Sequence, residues 1–449
     1  MRAALATLLI VVGTASGSRA QTFTTLASFD QSDGAKPLYM SLIQGTDGNF
    51  YGTTLDGGDH NDGTVFQLTR GGALTVLHSF DSSDPFPYSG LDLASDGNFY
   101  ATTYSGGTAG TTFKLSPAGI LTTLHNFDIG DGASPLAGLV QGIDGNFYGT
   151  TQNGGAYSDG TIFRMTPTGS ITTLHSFSGA DGAFPYATLT QGIDGNFYGT
   201  TLIGGVNDQG TVFRISRGGT FTTLYSFIGG YPSGAMVQGI DELFYGTTQN
   251  GGTQASGTIF RMSAQGDLVT LYSFCSLSDC ADGDTPFGGL IEATDLNFYG
   301  MTSGLRSQAG GTVFKITPRG ELITLHTFDG DDGYQPYGGL LQGTDGKFYG
   351  ATQYGGAFDY GTLFSLAVGP GPFVAFVRPA GKVGQKGGIL GQGFTGTTAV
   401  SLNGTPVSFT VVADTFIRAT VPTGATTGYI TVTTPTGTLT SNKPFVVIR

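Results

Sequence analysis

No segment of the repeating part of this 449-residue chain keeps a 3.6-residue apolar period over three turns, which excludes a helical architecture there. Lys and Arg number 19 against 32 acidic residues, so there is no basic footprint for phosphate and nucleic acid is excluded as a partner. Beyond residue 20 no apolar run approaches the roughly 18 residues of a membrane-spanning helix. There is no Gly-x-Ser-x-Gly elbow, no His-Glu-x-x-His and no Cys matched to a lone His. Glu is scarce: only Glu242, Glu292 and Glu321 among the 32 acids. The rest are Asp, whose short carboxylate bonds its own backbone in turns, so much of the −13 net charge is turn chemistry.

What is present is a repeat. Phe-Tyr-Gly-Thr-Thr, or a close variant, begins at Phe50, Phe99, Phe147, Phe197, Phe244, Phe298 and Phe348, at spacings of 47 to 54 residues. Self-similarity at that period signals a solenoid, an array or a propeller. In the third copy four strand-like pieces stand out: 138–141, 146–151, 160–165 and 171–177. Each is rich in β-branched and aromatic residues and bounded by turn dipeptides such as Asp144-Gly145. The 77 glycines recur in register at such turns, which separates them from the aperiodic glycine of disordered chains. The expectation is an all-β fold, a seven-bladed β-propeller over residues 21–368. Its fourth strand, Thr-Leu-x-x-Phe, is missing after the last repeat and stands instead at Phe23–Phe29, so the N-terminal strand should close the last blade and leave no open edge.

The flanks set the compartment. Residues 1–20 read as a secretory signal peptide, giving a secreted, periplasmic or outer-surface location. Cys275 and Cys280 lie in the one insertion that stretches a repeat to 54 residues. In an exported chain they read as a disulfide, with a metal-binding or redox pair as the alternative. A Gly/Pro linker at 369–372 precedes short alternating strands over 373–449, the pattern of a small β-sandwich.

Two resemblances follow. Residues 373–449 resemble an IPT/TIG domain, an immunoglobulin-like module, through Ile389-x-Gly391-x-Gly-Phe394, Val400-x-Leu-Asn-Gly404, Val421-Pro422 and Thr427-Gly-x-Ile-Thr-Val432. The repeats resemble the bacterial exported tandem-repeat family called GloVer, through Asp-Gly-Asn-Phe-Tyr-Gly-Thr-Thr, Gly-Thr-Val-Phe-Arg and Thr-Thr-Leu-His-Ser-Phe. These resemblances imply a propeller, export and an immunoglobulin-like C-terminal module. They carry no activity with them.

Candidate functional residues are few. His78, His125, His175 and His326 share one repeat position with Tyr225 and Tyr272, which marks packing rather than a unique catalytic base. His60, in an acidic loop, reads as a solvated turn, with a base or a metal ligand as the alternatives. Asp30/Asp33, Asp128/Asp131 and Asp329/Asp332 read as turn formers, with Ca²⁺ as the alternative. Ca²⁺ is the only cofactor left open, and its best candidate ligands are Asp279, Asp282 and Asp284 in the Cys275–Cys280 loop. Gln44, Gln141, Gln191, Gln238, Glu292 and Gln342 occupy one position on the expected innermost strand, with Leu93 in the second copy. They could ring the channel and bind a hydroxyl-rich ligand, or hydrogen-bond between blades. The functional expectation is an exported, monomeric, non-catalytic binding or cell-surface protein holding a glycan or protein partner, with no membrane span. The alternative is an extracellular carbohydrate-active lyase or hydrolase.

Overall fold

The computed structural model describes residues 21–306 and 310–448. The expected signal peptide lies outside them. The described chain is all-β, with a single three-residue 3-10 turn at Ser278–Cys280.

Each repeat folds into a four-stranded antiparallel sheet, seven in all. In the third, the strands are Val140–Gln141, Phe147–Thr151, Thr161–Met165 and Ile171–Ser176, in that spatial order. The seventh sheet takes its outer strand from the other end of the chain: Thr22–Ser28 pairs antiparallel with Thr362–Ala367. That strand leaves no unpaired edge on the last sheet, and an unpaired edge invites association.

The repeated phrase explains the packing. Its Phe lies under the Tyr of the preceding repeat, in stacks that run Tyr51–Phe99, Tyr100–Phe147, Tyr148–Phe197, Tyr198–Phe244, Tyr245–Phe298 and Tyr299–Phe348. Tyr349 on Phe50, with ring centroids 3.9 Å apart, returns the series to its start. The ring of sheets is therefore closed by the same contact that builds it. Each Tyr hydroxyl donates to the turn Asp four residues earlier, as Tyr148 does to Asp144 at 2.9 Å. The Asp also accepts the amide of Asn146, which a Glu's longer arm would not place as well. The phrase's Gly has its own reason: a Cβ on Gly149 would sit 2.7 Å from Phe163 Cζ. Its second Thr bonds the first Thr of the next strand, as Thr151 and Thr161 do at 2.9 Å.

Residues 373–448 form a separate unit of two four-stranded sheets and a two-stranded parallel pair, Ala380–Lys382 with Val446–Ile448. Sheets including Lys386–Leu390 with Phe416–Thr420, and Ala399–Leu402 with Ile430–Thr434, pack over a core of Ile389, Phe394, Val400, Leu402, Ile417 and Val432. No described helix is long and apolar enough to cross a membrane.

Candidate functional site

The innermost strand of each sheet is only two residues long, and in six of the seven its second residue is the Gln or Glu singled out above. Each reaches to the preceding sheet. Gln141 Oε1 accepts the Ser95 amide at 3.0 Å, Gln191 the Ile143 amide at 3.1 Å and Gln238 the Ile193 amide at 2.9 Å. Gln342 accepts from Thr294 and Gln44 from Thr344, both at 3.0 Å, while Glu292 takes the Ile240 amide on both oxygens. The Nε2 groups of Gln44, Gln141, Gln191 and Gln238 donate to the carbonyl four residues on. Both ends of these amides are thus engaged by the ring itself, and the side chains act as clasps between neighbouring sheets.

The clasp fails once, at Leu93, and there the C-terminal unit docks. Leu93 packs with Leu390, and Val377 and Phe416 join the same cluster. The Thr415 hydroxyl donates to Thr46 O at 2.8 Å. Beside Leu93, Asp92 accepts the Gln141 amide at 2.9 Å, and burial raises its carboxyl to about 7 against the opposing pull of that amide and of Arg378. Arg378 Nη2 in turn donates to Gly142 O. The second break, the carboxylate of Glu292 among amides, faces Lys443 of the C-terminal unit at 3.8 Å. Between ring and unit lies a cavity of about 810 Å³ that includes Gln191, Gln238, Glu292 and Lys443 in its walls.

Asp and His residues at the outer edges are also tied up. His125, His175 and His326 bond Asp131, Asp181 and Asp332 at 2.7, 2.9 and 2.7 Å. The other oxygens of these Asp residues accept turn amides, as Asp131 does from Asp128. In the sixth repeat's loop Cys275 and Cys280 form the disulfide. Asp282 takes the place of Asp131 and Tyr272 that of His125: the carboxylate accepts from Tyr272, the Ser276 amide and hydroxyl, and the Leu277 amide. Asp284 Oδ1 accepts from Thr285 Oγ1 and the Arg306 amide. The structure does not bring Asp279, Asp282 and Asp284 together, and no group of three His, Cys, Asp or Glu side chains placed to hold a metal occurs among the described residues.

The opposite mouth of the channel is aromatic. Each innermost strand is preceded by a proline whose preceding residue has left-handed backbone, for example Phe86 at φ 64° and Phe184 at φ 55°. Non-glycine residues adopt this conformation at a cost of roughly 1 kcal/mol or more, and it persists because surrounding bonds hold it. Here the Phe184 amide is held by Asp159 O and the Phe86 amide by Asp62 O. From proline to clasp residue the spacing is six positions in six repeats and seven in the first, Pro37 to Gln44. The extra residue is Tyr39, extruded with φ 54°. Its ring meets Tyr88 at 6.3 Å, Phe287 at 6.1 Å and Tyr337 at 5.8 Å, residues of three other repeats. Tyr186 completes a largely buried aromatic bowl over a neck where glycines let neighbouring innermost strands approach closely: a Cβ on Gly234 would lie 2.7 Å from Gly288 O.

Compared with known protein families, the chain matches the Gloeobacter/Verrucomicrobia repeat over residues 14–109, 86–308 and 192–406. The chain belongs to that family. No curated protein matches it. Among solved structures it is similar to virginiamycin B lyase from Staphylococcus aureus, at 15% identity and a TM-score of 0.56, covering 78% of this chain and 99% of that one. A fungal alcohol oxidase of the AA5 family, in complex with copper, gives 13% identity, a TM-score of 0.52 and coverage of 92% and 98%. PorZ of Porphyromonas gingivalis gives 15%, 0.50, and coverage of 92% and 60%. At these identities the likeness shows the fold, a propeller-like arrangement of repeated four-stranded sheets.

Within this repeat family member, the residues that sequence reasoning missed are those that break the repeat. Tyr39 was legible as a one-residue insertion. Asp92 was legible too, since the other copies carry Ile43, Val140, Thr190, Val237, Ile291 and Leu341 there. Arg378 and Lys443 carried no signal, because their role depends on how the C-terminal unit docks.

Proposed function

We propose that this is an exported, non-catalytic binding protein: a seven-bladed β-propeller at 21–368 with an immunoglobulin-like IPT/TIG domain at 373–449, presenting its aromatic mouth to a glycan. The observation that supports it is the bowl of Tyr39, Tyr88, Tyr186, Phe287 and Tyr337, built around an inserted residue in strained backbone. Strain of that kind clusters at binding sites. Aromatic faces accept the C–H faces of sugar rings, and tyrosine hydroxyls bond their edges. Polar partners are at hand: Gln152 donates to the Tyr186 hydroxyl at 3.1 Å, and the Lys36–Asp56 pair, 2.7 Å apart, belongs to the first of these loops.

This reading moves the ligand from the clasp residues Gln44, Gln141, Gln191, Gln238, Glu292 and Gln342 to the opposite face, because their amides are already spent. A cell-surface role is in keeping with one structural neighbour, PorZ, described as a bacterial surface component. The test is a glycan array and polysaccharide pull-down with the secreted chain, with and without Ca²⁺. Binding should weaken at least ~10-fold, or ~1.4 kcal/mol, in Tyr88→Ala/Tyr337→Ala. Undiminished binding in that variant refutes the site, and depolymerisation of the bound glycan would favour the lyase or hydrolase alternative.

A further inference from the structure

The cavity between the ring and the C-terminal unit lies at the other end of the channel, and two features are confined to it. Its volume of about 810 Å³ falls inside the roughly 300–1,000 Å³ range of small-molecule pockets. The first feature is in the turn after each innermost strand. The second residue past the clasp position is Ile in repeats three to five (Ile143, Ile193, Ile240) and Thr or Ser in the others (Thr46, Ser95, Thr294, Thr344). At Thr46 and Thr344 the C-terminal unit sits directly on the turn, through Thr415 and through the Phe373 amide at 3.0 Å. At Ile193 and Ile240 a cavity separates them, leaving these side chains 58% and 44% exposed, and Ile143, next to the Gly142 carbonyl that takes Arg378, lines the same cavity. The C-terminal unit contributes Val446 and Ile448 to the same cavity. Large apolar side chains left uncovered in a cavity with further apolar walls point to an apolar occupant.

The second feature is the Lys443–Glu292 pair. Lys443 Nζ lies 3.8 Å from Glu292 Oε2 and 3.4 Å from Gln238 O. Both separations are long for a charge-assisted bond, so the three-donor ammonium keeps hydrogen-bonding capacity toward the cavity. Its charge is meanwhile offset by Glu292. Asp194 and Glu242 stand against Arg217 elsewhere in the lining, so the walls offer no excess of positive charge for an anion.

We propose that this cavity binds an uncharged amphipathic small molecule, its apolar body on Ile143, Ile193 and Ile240 and a carbonyl or hydroxyl oxygen on Lys443 Nζ. The site is separate from the aromatic mouth and stands or falls independently of the glycan reading.

The probe is Nile red, an uncharged dye with a carbonyl acceptor, titrated into the full secreted chain. The wild type should give a saturable emission increase with one dye per chain. Ile193→Ser/Ile240→Ser should weaken it at least ten-fold, while Ile129→Ser, at an exposed isoleucine outside the cavity, should leave it unchanged. A second variant, Glu292→Gln/Lys443→Met, restores the Gln found in five other repeats and removes the donor. It should bind the dye with bluer emission, because the hydrogen bond to its carbonyl is gone. Three results would each overturn the proposal: no saturable site in the wild type, wild-type titration in Ile193→Ser/Ile240→Ser, or unchanged emission in Glu292→Gln/Lys443→Met. Tighter binding of an anionic dye, anilinonaphthalene sulfonate, would overturn the uncharged assignment.

Discussion

Replacing a clasp residue tests whether these amides hold the ring or hold a ligand. Gln44 is the clasp between the last sheet and the first; it is 5% exposed, and its partner Thr344 is 1% exposed. Gln44→Leu removes the acceptor of the Thr344 amide and the donor shared by Gly48 O and Thr344 Oγ1. A buried amide left without a partner costs about 1–3 kcal/mol, and the second lost bond adds about 1. The expected total is about 2–4 kcal/mol, several degrees in melting temperature. Gln238 makes the equivalent bonds to the Ile193 amide and Glu242 O, but half-exposed beside the cavity. Water can replace the lost partners there, so Gln238→Leu should cost about 1 kcal/mol or less. The assay is thermal unfolding followed by far-ultraviolet circular dichroism. Equal costs at the two sites would refute the clasp reasoning. So would two variants that melt like the wild type yet lose glycan binding.

Other predictions come from particular contacts. Burial lowers the pKa of His78 and His175, so the folded state favours their neutral form. Stability is therefore present above the ordinary histidine pKa of about 6.5 and lost as pH falls through and below it. His78→Tyr/His175→Tyr, the residue found at positions 225 and 272, should flatten the decline in melting temperature between about pH 7 and 5; an unchanged slope contradicts this. The Cys275–Cys280 loop spans a sequence separation of only five, so reducing it should cost about 2 kcal/mol. Asp282→Ala, which strips four donors of their acceptor, should lower the melting point more than dithiothreitol does. Arg378→Met removes the donor to Gly142 O and the cation whose pull opposes the burial of Asp92, and should loosen docking by about 1–3 kcal/mol. Asp92→Val/Arg378→Met should recover most of that, read by limited proteolysis at the 369–372 linker.

The strands were legible because their residues repeat. Phe147, Phe163 and Phe177 announce the core by recurring in every copy, and all three are fully buried. Closure by Phe23–Phe29 was legible as a missing strand at one end and a spare one at the other. Two things were not. The Gln ring offered an amide that both donates and accepts, and sequence alone does not show where a neighbouring backbone lies; in the structure the Ser95, Ile143 and Ile193 amides bond these side chains. The cystine loop offered three Asp at metal-like spacing, but Asp282 is the repeat's ordinary turn acid displaced by an insertion. Its match to Asp131 becomes visible only when Tyr272 is seen where His125 stands. The repeat is broken at Tyr39, Asp92, Leu93 and Glu292, and these departures from the consensus mark one residue of the aromatic mouth and the places where the C-terminal unit meets the ring.

The glycan reading has one direct test, which the sequence favours because the chain contains no tryptophan. Phe287→Trp places a single indole in the aromatic mouth, to be titrated with the saccharide that binds best on the array. The account predicts a saturable change in its emission at the same concentration that half-saturates binding in the pull-down. A chain that binds saccharide while this tryptophan stays silent, or one that binds no saccharide at all, would contradict it.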